Sequence, residues 1–104
     1  MKKIALVTGS SRGIGRAVAE RLAADGYAVC INYKEREDKA QELLRQLKDD
    51  GAQVMAVQAD VSQRAQVDAM VRRIEEQFGP VSLLVNNAGV GGQRLFQDIS
   101  DDMW

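Results

Sequence analysis

The sequence contains no histidine and only one cysteine, Cys30, in 104 residues. Without histidine there is no Ser-His-Asp or Cys-His triad and no histidine-ligated zinc, and one thiol allows neither an internal disulfide nor a cysteine-cluster metal site. Much hydrolytic chemistry is thereby excluded, and no metal site is expected. Charge of one sign is also lacking: 14 Lys and Arg stand against 15 Asp and Glu, for a net charge of −1. A surface that tracks nucleic-acid phosphates needs a basic excess, so nucleic acid is not an expected partner. Nor is there a long hydrophobic run. The apolar stretch behind Met1-Lys2-Lys3, from Ile4 to Val7, ends at Thr8-Gly9 and is too short for a secretory signal core or a membrane span. A cytoplasmic location without a membrane partner is expected. Low-complexity tracts, linkers and internal sequence repeats are missing as well, which leaves one domain over 1–104.

What is present is a hydrophobic fraction of 45% with 28% charged residues, the composition of a water-soluble globular unit. A domain of this size buries roughly 60–65% of the surface its unfolded chain exposes, so its core is modest. The run from Lys3 to Val7 is short, β-branched and apolar, and predicts a strand buried on both faces. A glycine-rich turn follows. From Ile14, apolar residues Ala17, Val18 and Leu22 recur at helical spacing up to a stop at Gly26. The pattern then repeats: a strand over Ala28 to Tyr33, a charged helix with the stripe Ala40, Leu43, Leu44 and Leu47 ending at Gly51, and a strand over Val54 to Gln58. Ser62 is placed to cap a third helix carrying Val67, Met70, Val71, Ile74 and Phe78, closed by Gly79-Pro80, and Val81 to Val85 predicts a fourth strand. Strands alternating with helices imply a parallel sheet. Beyond Asn86 comes a glycine loop, then Ser100-Asp101-Asp102 with the cap and acidic first turn of another helix. The sequence ends at Trp104, so an N-terminal portion of a longer domain is expected.

The turn after the first strand reads Thr8-Gly9-Ser10-Ser11-Arg12-Gly13-Ile14-Gly15. Gly9 permits the tight turn, Gly13 removes a side chain where backbone would approach a pyrophosphate, and Gly15 lets the helix pack closely. The helix N-terminus then offers free N–H groups and the positive end of its dipole. A glycine cluster alone can be a mere turn, but this one lies between a buried strand and an amphipathic helix, the arrangement of a dinucleotide site. It is not a P-loop, because Gly15 is followed by Arg16-Ala17 rather than Lys-Ser or Lys-Thr.

Together with Asp60-Val61 and Asn86-Asn87-Ala88-Gly89, in that order and spacing, the glycine motif resembles the short-chain dehydrogenase/reductase family, and within it the 3-oxoacyl-carrier-protein-reductase-like members. The resemblance runs over the whole chain. It implies the N-terminal half of a Rossmann-type, doubly wound parallel α/β sheet with strand order 3-2-1-4, its fourth strand left as an edge. It also implies that Gly9 to Ile14 line the pyrophosphate and ribose, Asp60 accepts from the adenine amino group and Val61 packs on the adenine ring. Asn87 would hold the adenine-side ribose, while Asn86, Ala88 and Gly89 keep the fourth strand against the cofactor. A loop carboxylate at Asp60, and an amide-stabilised turn at Asn86-Asn87, are the plain structural alternatives.

NAD-specific sites place an acidic side chain at the end of the second strand. Here the residues are Asn32-Tyr33-Lys34. With Tyr33 at the acidic position no carboxylate repels a 2′-phosphate, and Lys34 and Arg12 are available to pair with it, so NADP(H) is favoured over NAD. Glu35, Glu37 and Asp38 just beyond speak for NAD. Cys30 and the helix stripes are expected to be core, without chemistry.

The family's reaction passes a hydride between nicotinamide and a carbonyl, with a Tyr as acid, a Lys separated from it by three residues that lowers its pKa, and a Ser on the carbonyl oxygen. The tyrosines here, Tyr27 and Tyr33, are followed at the fourth place by Ile31 and Glu37, so neither starts a Tyr-x-x-x-Lys motif and no catalytic residue is assigned. Two functions are thus expected from the sequence. One is the cofactor-binding part of an NADP-dependent oxidoreductase acting on a small-molecule aldehyde, ketone or secondary alcohol, whose full-length form is a homo-oligomer. The other is a non-catalytic module that holds a dinucleotide or pairs with another chain.

Overall fold

A computed structural model of the protein describes residues 3–10 and 13–87. The four apolar runs form parallel strands β1 (Ile4–Thr8), β2 (Ala28–Tyr33), β3 (Val54–Gln58) and β4 (Leu83–Asn86), alternating with helices α1 (Gly13–Ala24), α2 (Glu37–Asp49) and α3 (Arg64–Gln77). The sheet order is β3-β2-β1-β4, as expected. Every residue of β1 and β2 is buried, which is why these strands are continuously apolar instead of alternating: helices cover both faces.

Side-chain alternation divides the core. Ile4, Leu6, Cys30 and Met55 face α3 and pack on its Val67, Met70 and Ile74. Val7, Val29 and Ile31 face the other way, onto Ala19 of α1 and Leu43 and Leu47 of α2. The chain therefore steps outward from β1 to β3 with helices on one face, then returns by α3 on the other face to place β4 on the far side of β1. That reversal makes a switch point between β1 and β4, the place at the carboxyl ends of the strands where sheets of this topology have their ligand crevice.

The boundaries shift slightly from the sequence reading. β1 runs to Thr8 because Thr8 pairs with Asn86 at the end of β4, and Lys3 is left exposed. β4 begins at Leu83, since Ser82 is occupied as a clasp: its N–H donates to the Ile4 carbonyl at 2.8 Å and its hydroxyl accepts the Ile4 N–H at 2.9 Å. Ser62 does not cap α3, and this expectation is corrected. The N-cap is Gln63, without a side-chain cap, because the Ser62 hydroxyl donates instead to Asp60 Oδ1 at 2.6 Å. The glycine loop after Asn87 and the helix start at Ser100 lie outside the described residues. No described helix is long and apolar enough to cross a membrane.

Cys30 is wholly buried, and burial pushes its thiol up to about 12, with Arg73 opposing only weakly. The thiolate is the reactive form, so folded protein at pH 8 is expected to resist a thiol-titrating reagent and to react in denaturant. Rapid labelling of folded protein would contradict this burial.

Candidate functional site

The glycine turn leaves β1 at the crevice. Gly9 has φ 60 and Gly13 φ 65, left-handed conformations in which a side chain is strained. Among the described residues, a Cβ on Gly13 would meet nothing within 4 Å, so none of them crowds the first turn of α1. Gly15 is the opposite case: a Cβ there would strike the Gly9 carbonyl oxygen, Asn87 Nδ2 at 2.8 Å and Ser10 Cα at 2.9 Å. Gly15 thus packs α1 onto the turn and β4's end, more than onto the strand. Ile14 between them is 74% exposed. Ser10 is fully buried, its N–H and hydroxyl both donating to the Asn32 carbonyl at 3.0 and 3.2 Å. It offers no free surface and belongs to the scaffold of the turn. Ser11 and Arg12 lie outside the described residues.

Thr8 stitches β1 to β4. Its buried hydroxyl donates to Asn86 Oδ1 at 3.0 Å and accepts the Asn87 N–H at 2.9 Å. Asn87 in turn donates from Nδ2 to the Gly9 carbonyl at 3.3 Å, so both asparagines are tied to the turn that follows β1. Ala88 and Gly89 lie outside the described residues.

The ends of β2 and β3 form the rim. The Tyr33 ring is 6% exposed and packs in the α1–α2 core; its hydroxyl donates to Glu37 Oε1 at 3.4 Å. Burial, and then the Glu37 carboxylate, push its phenol above the ordinary value. Lys34 is exposed, and its Nζ lies 3.6 Å from Asp60 Oδ2. Asp60 Oδ1 accepts the Ser62 N–H at 3.0 Å and the Ser62 hydroxyl at 2.6 Å. These bonds, and more weakly Lys34, hold its carboxyl below the usual carboxylate range. Asp60 is thus a turn anchor, the plain alternative read from sequence, and also a rim carboxylate. Val61 is half-buried against the α3 side of the core. Of the acidic residues after β2, Glu37 is bound to Tyr33 and Asp38 to Arg36, with N···O 3.3 Å. Arg16, the cation next to Gly15, is turned away: it donates to Gln46 Oε1 at 2.8 Å and pairs with Glu42 at 3.4 Å on α2.

One residue escaped the sequence reading. Asn32 is 2% exposed and connects the turn, β2 and β3; a polar side chain at a buried place in an apolar strand is the signal that marks it. Taken together, a helix N-terminus that no described residue crowds, with a cation and a carboxylate at the neighbouring rim, suits an elongated anion with a polar ring system.

The family described as short chain dehydrogenase matches residues 3–104. The chain belongs to the short-chain dehydrogenase family. It is 42% identical over 104 residues to the 3-oxoacyl-[acyl-carrier-protein] reductase FabG of Staphylococcus epidermidis, covering 100% of this chain and 43% of that protein. The Staphylococcus aureus reductase of the same name is 41% identical, again over the full chain and 42% of its own length. The chain thus spans under half the length of these short-chain dehydrogenase relatives. Among solved structures, a short chain dehydrogenase from Burkholderia cenocepacia in complex with NADP has TM-score 0.80 at 46% identity, over 85% of this chain and 36% of that one. A blue fluorescent protein from a metagenomic library in complex with NADPH has TM-score 0.80 at 44% identity, over 85% of this chain and 36% of its own. The Rossmann-type fold expected from the sequence is that of these family members.

Proposed function

We propose that this chain is the cofactor-binding part of an NADP(H)-dependent oxidoreductase that interconverts a carbonyl and a secondary alcohol. The observation that carries the reading is the pair of glycines at the start of α1, one buried to bring the helix onto the turn and one with no described residue within 4 Å of where its Cβ would stand. Such a geometry lets a pyrophosphate reach backbone N–H groups with no side chain in the way. Bound nicotinamide would supply the hydride; the chain's own residues bind and orient. The segment from Ser11 to Gly15 holds the phosphates, with Gly9 and Ser10, whose N–H groups are bonded to Asn32, as its scaffold. Asp60 and Val61 receive the adenine, Asn87 the adjoining ribose, and Asn86, Ala88 and Gly89 keep β4 in place.

The preference for NADP rests on Lys34, exposed directly after Tyr33, the residue that stands at the end of β2 where an NAD site carries a carboxylate. Two of the three nearby acids are engaged elsewhere, Glu37 by Tyr33 and Asp38 by Arg36. The NADP and NADPH held by the two structural relatives support the same choice. The full-length protein is proposed to be a cytoplasmic homo-oligomer acting on a small carbonyl or alcohol, and the reductase names of the relatives favour this over a non-catalytic dinucleotide or chain-pairing module.

Lys34 is a better test of cofactor choice than Tyr33, whose ring belongs to the core. For Lys34→Ala, NADPH affinity is expected to fall by about tenfold or more, the worth of one charge-assisted hydrogen bond, with NADH affinity nearly unchanged. Fluorescence titration of both nucleotides checks it. Equal losses for the two would place the 2′-phosphate elsewhere.

A further inference from the structure

We propose that Asn32 is a positioning residue that locks the phosphate-binding turn and the adenine rim into one shape, so that affinity for the dinucleotide depends on it whether or not a 2′-phosphate is present. The inference rests on the cofactor reading above and extends it to a residue that touches no ligand.

Asn32 lies near the carboxyl end of β2 on the face that its neighbour Cys30 gives wholly to apolar packing with α3. A primary amide buried in such a place is costly unless every polar atom is bonded. Here the bonds run to three segments. Oδ1 accepts the Gly9 N–H at 3.3 Å, and Nδ2 donates to the carbonyls of Val57 at 3.4 Å and Ala59 at 3.2 Å. The Asn32 carbonyl meanwhile takes both the N–H and the hydroxyl of Ser10.

Two consequences follow for the site. The first two N–H groups of the turn, those of Gly9 and Ser10, point into the protein, so an anion must be held by donors further along, at the N-terminus of α1. The rim is fixed from the same side chain, because Ala59 directly precedes Asp60 and Asn32 is separated from Lys34 by one residue. Asn32 is thus a common support for the pyrophosphate end and the adenine end. Lys34 bears on one cofactor only; Asn32 should bear on both.

The test compares wild type with Asn32→Val, which puts a compact, strand-compatible side chain in its place and removes all three side-chain hydrogen bonds. At a temperature where circular dichroism shows the variant fully folded, NADPH and NADH are both expected to bind roughly ten- to a hundredfold more weakly, with their ratio unchanged. Exchange of the Gly9 and Ser10 amide protons, followed by NMR, should accelerate in the variant. A residue that only fills the core would lower the melting temperature, speed exchange of all core amides alike and leave affinity alone, so a folded variant with wild-type affinities, and with Gly9 and Ser10 exchange raised no more than that of other core amides, overturns the proposal. Should Asn32→Val fail to fold, unmodified protein decides: the Gly9 and Ser10 amides are expected to be protected before any nucleotide is added and, when NADPH binds, to gain no more protection than the buried amides of β1 and β2 gain. Free exchange there, or protection that comes only with NADPH, overturns it. Wild type that binds neither nucleotide would sink the cofactor reading instead, and the amide exchange would still judge the role of Asn32 in the turn.

Discussion

Gly15→Ala is expected to remove dinucleotide binding and to cost about 1–3 kcal/mol of stability, the range for forcing extra volume into a packed site. One added carbon would meet the Gly9 carbonyl oxygen, Ser10 Cα at 2.9 Å and Asn87 Nδ2 at 2.8 Å. Two of these are backbone atoms, which cannot swing aside as a flexible side chain does. Either α1 backs away from the turn or the turn flattens, and both separate the helix N-terminus from the crevice. Thermal denaturation should show the loss as roughly 4–8 °C for each kcal/mol in a chain of this size, and an NADPH titration should show no saturable binding. A variant with unchanged melting temperature and affinity would mean that α1 does not approach the turn this closely.

Gly13→Val separates the two jobs of the glycine motif. The site has φ 65 and no described residue within 4 Å of the new Cβ, so the penalty is conformational, roughly 1–2 kcal/mol for holding an L-residue in the left-handed region. The fold should survive. Nucleotide binding should not, because the side chain projects to where the pyrophosphate is proposed to lie. NADPH affinity within a few-fold of wild type would exclude that placement. Comparing the variants therefore distinguishes loss of binding by a displaced helix, at Gly15, from loss by an occupied site, at Gly13.

The alternation of elements was legible because it rests on periodicity and on helix stops such as Gly26 and Gly51, which act locally; the sheet order came only with the family resemblance. Gly9, Asp60 and Asn87 were legible as motif members. What escaped was the destination of side chains with several local options. Ser62 looked like a helix cap, but the Asp60 carboxylate two residues back is a stronger acceptor for its hydroxyl. Ser10 looked like part of the ligand surface, yet its hydroxyl turns inward to a carbonyl on β2, a strand distant in sequence. Tyr33 was placed at the cofactor-selecting position by alignment, while strand alternation sends its ring into the core beside α2 and leaves Lys34 as the exposed neighbour. Asn32 drew no attention because its three partners come from segments that only the folded sheet brings together.

The stitch from Thr8 to Asn86 and Asn87 joins positions 78 and 79 residues apart in the chain. By contrast, β1 pairs with β2, and β2 with β3, across a single helix each. The entropy of closing a loop grows with the logarithm of its length, and contacts of long sequence separation delay folding. The β1–β4 seam is therefore the most demanding closure in the described chain, and it is eased once β1, β2 and β3 have already assembled and shortened the effective loop. The crevice at the switch point exists only after that seam has closed. A nucleotide that binds there would select the completed sheet over every partly folded form, and so would stabilise the last step in assembly.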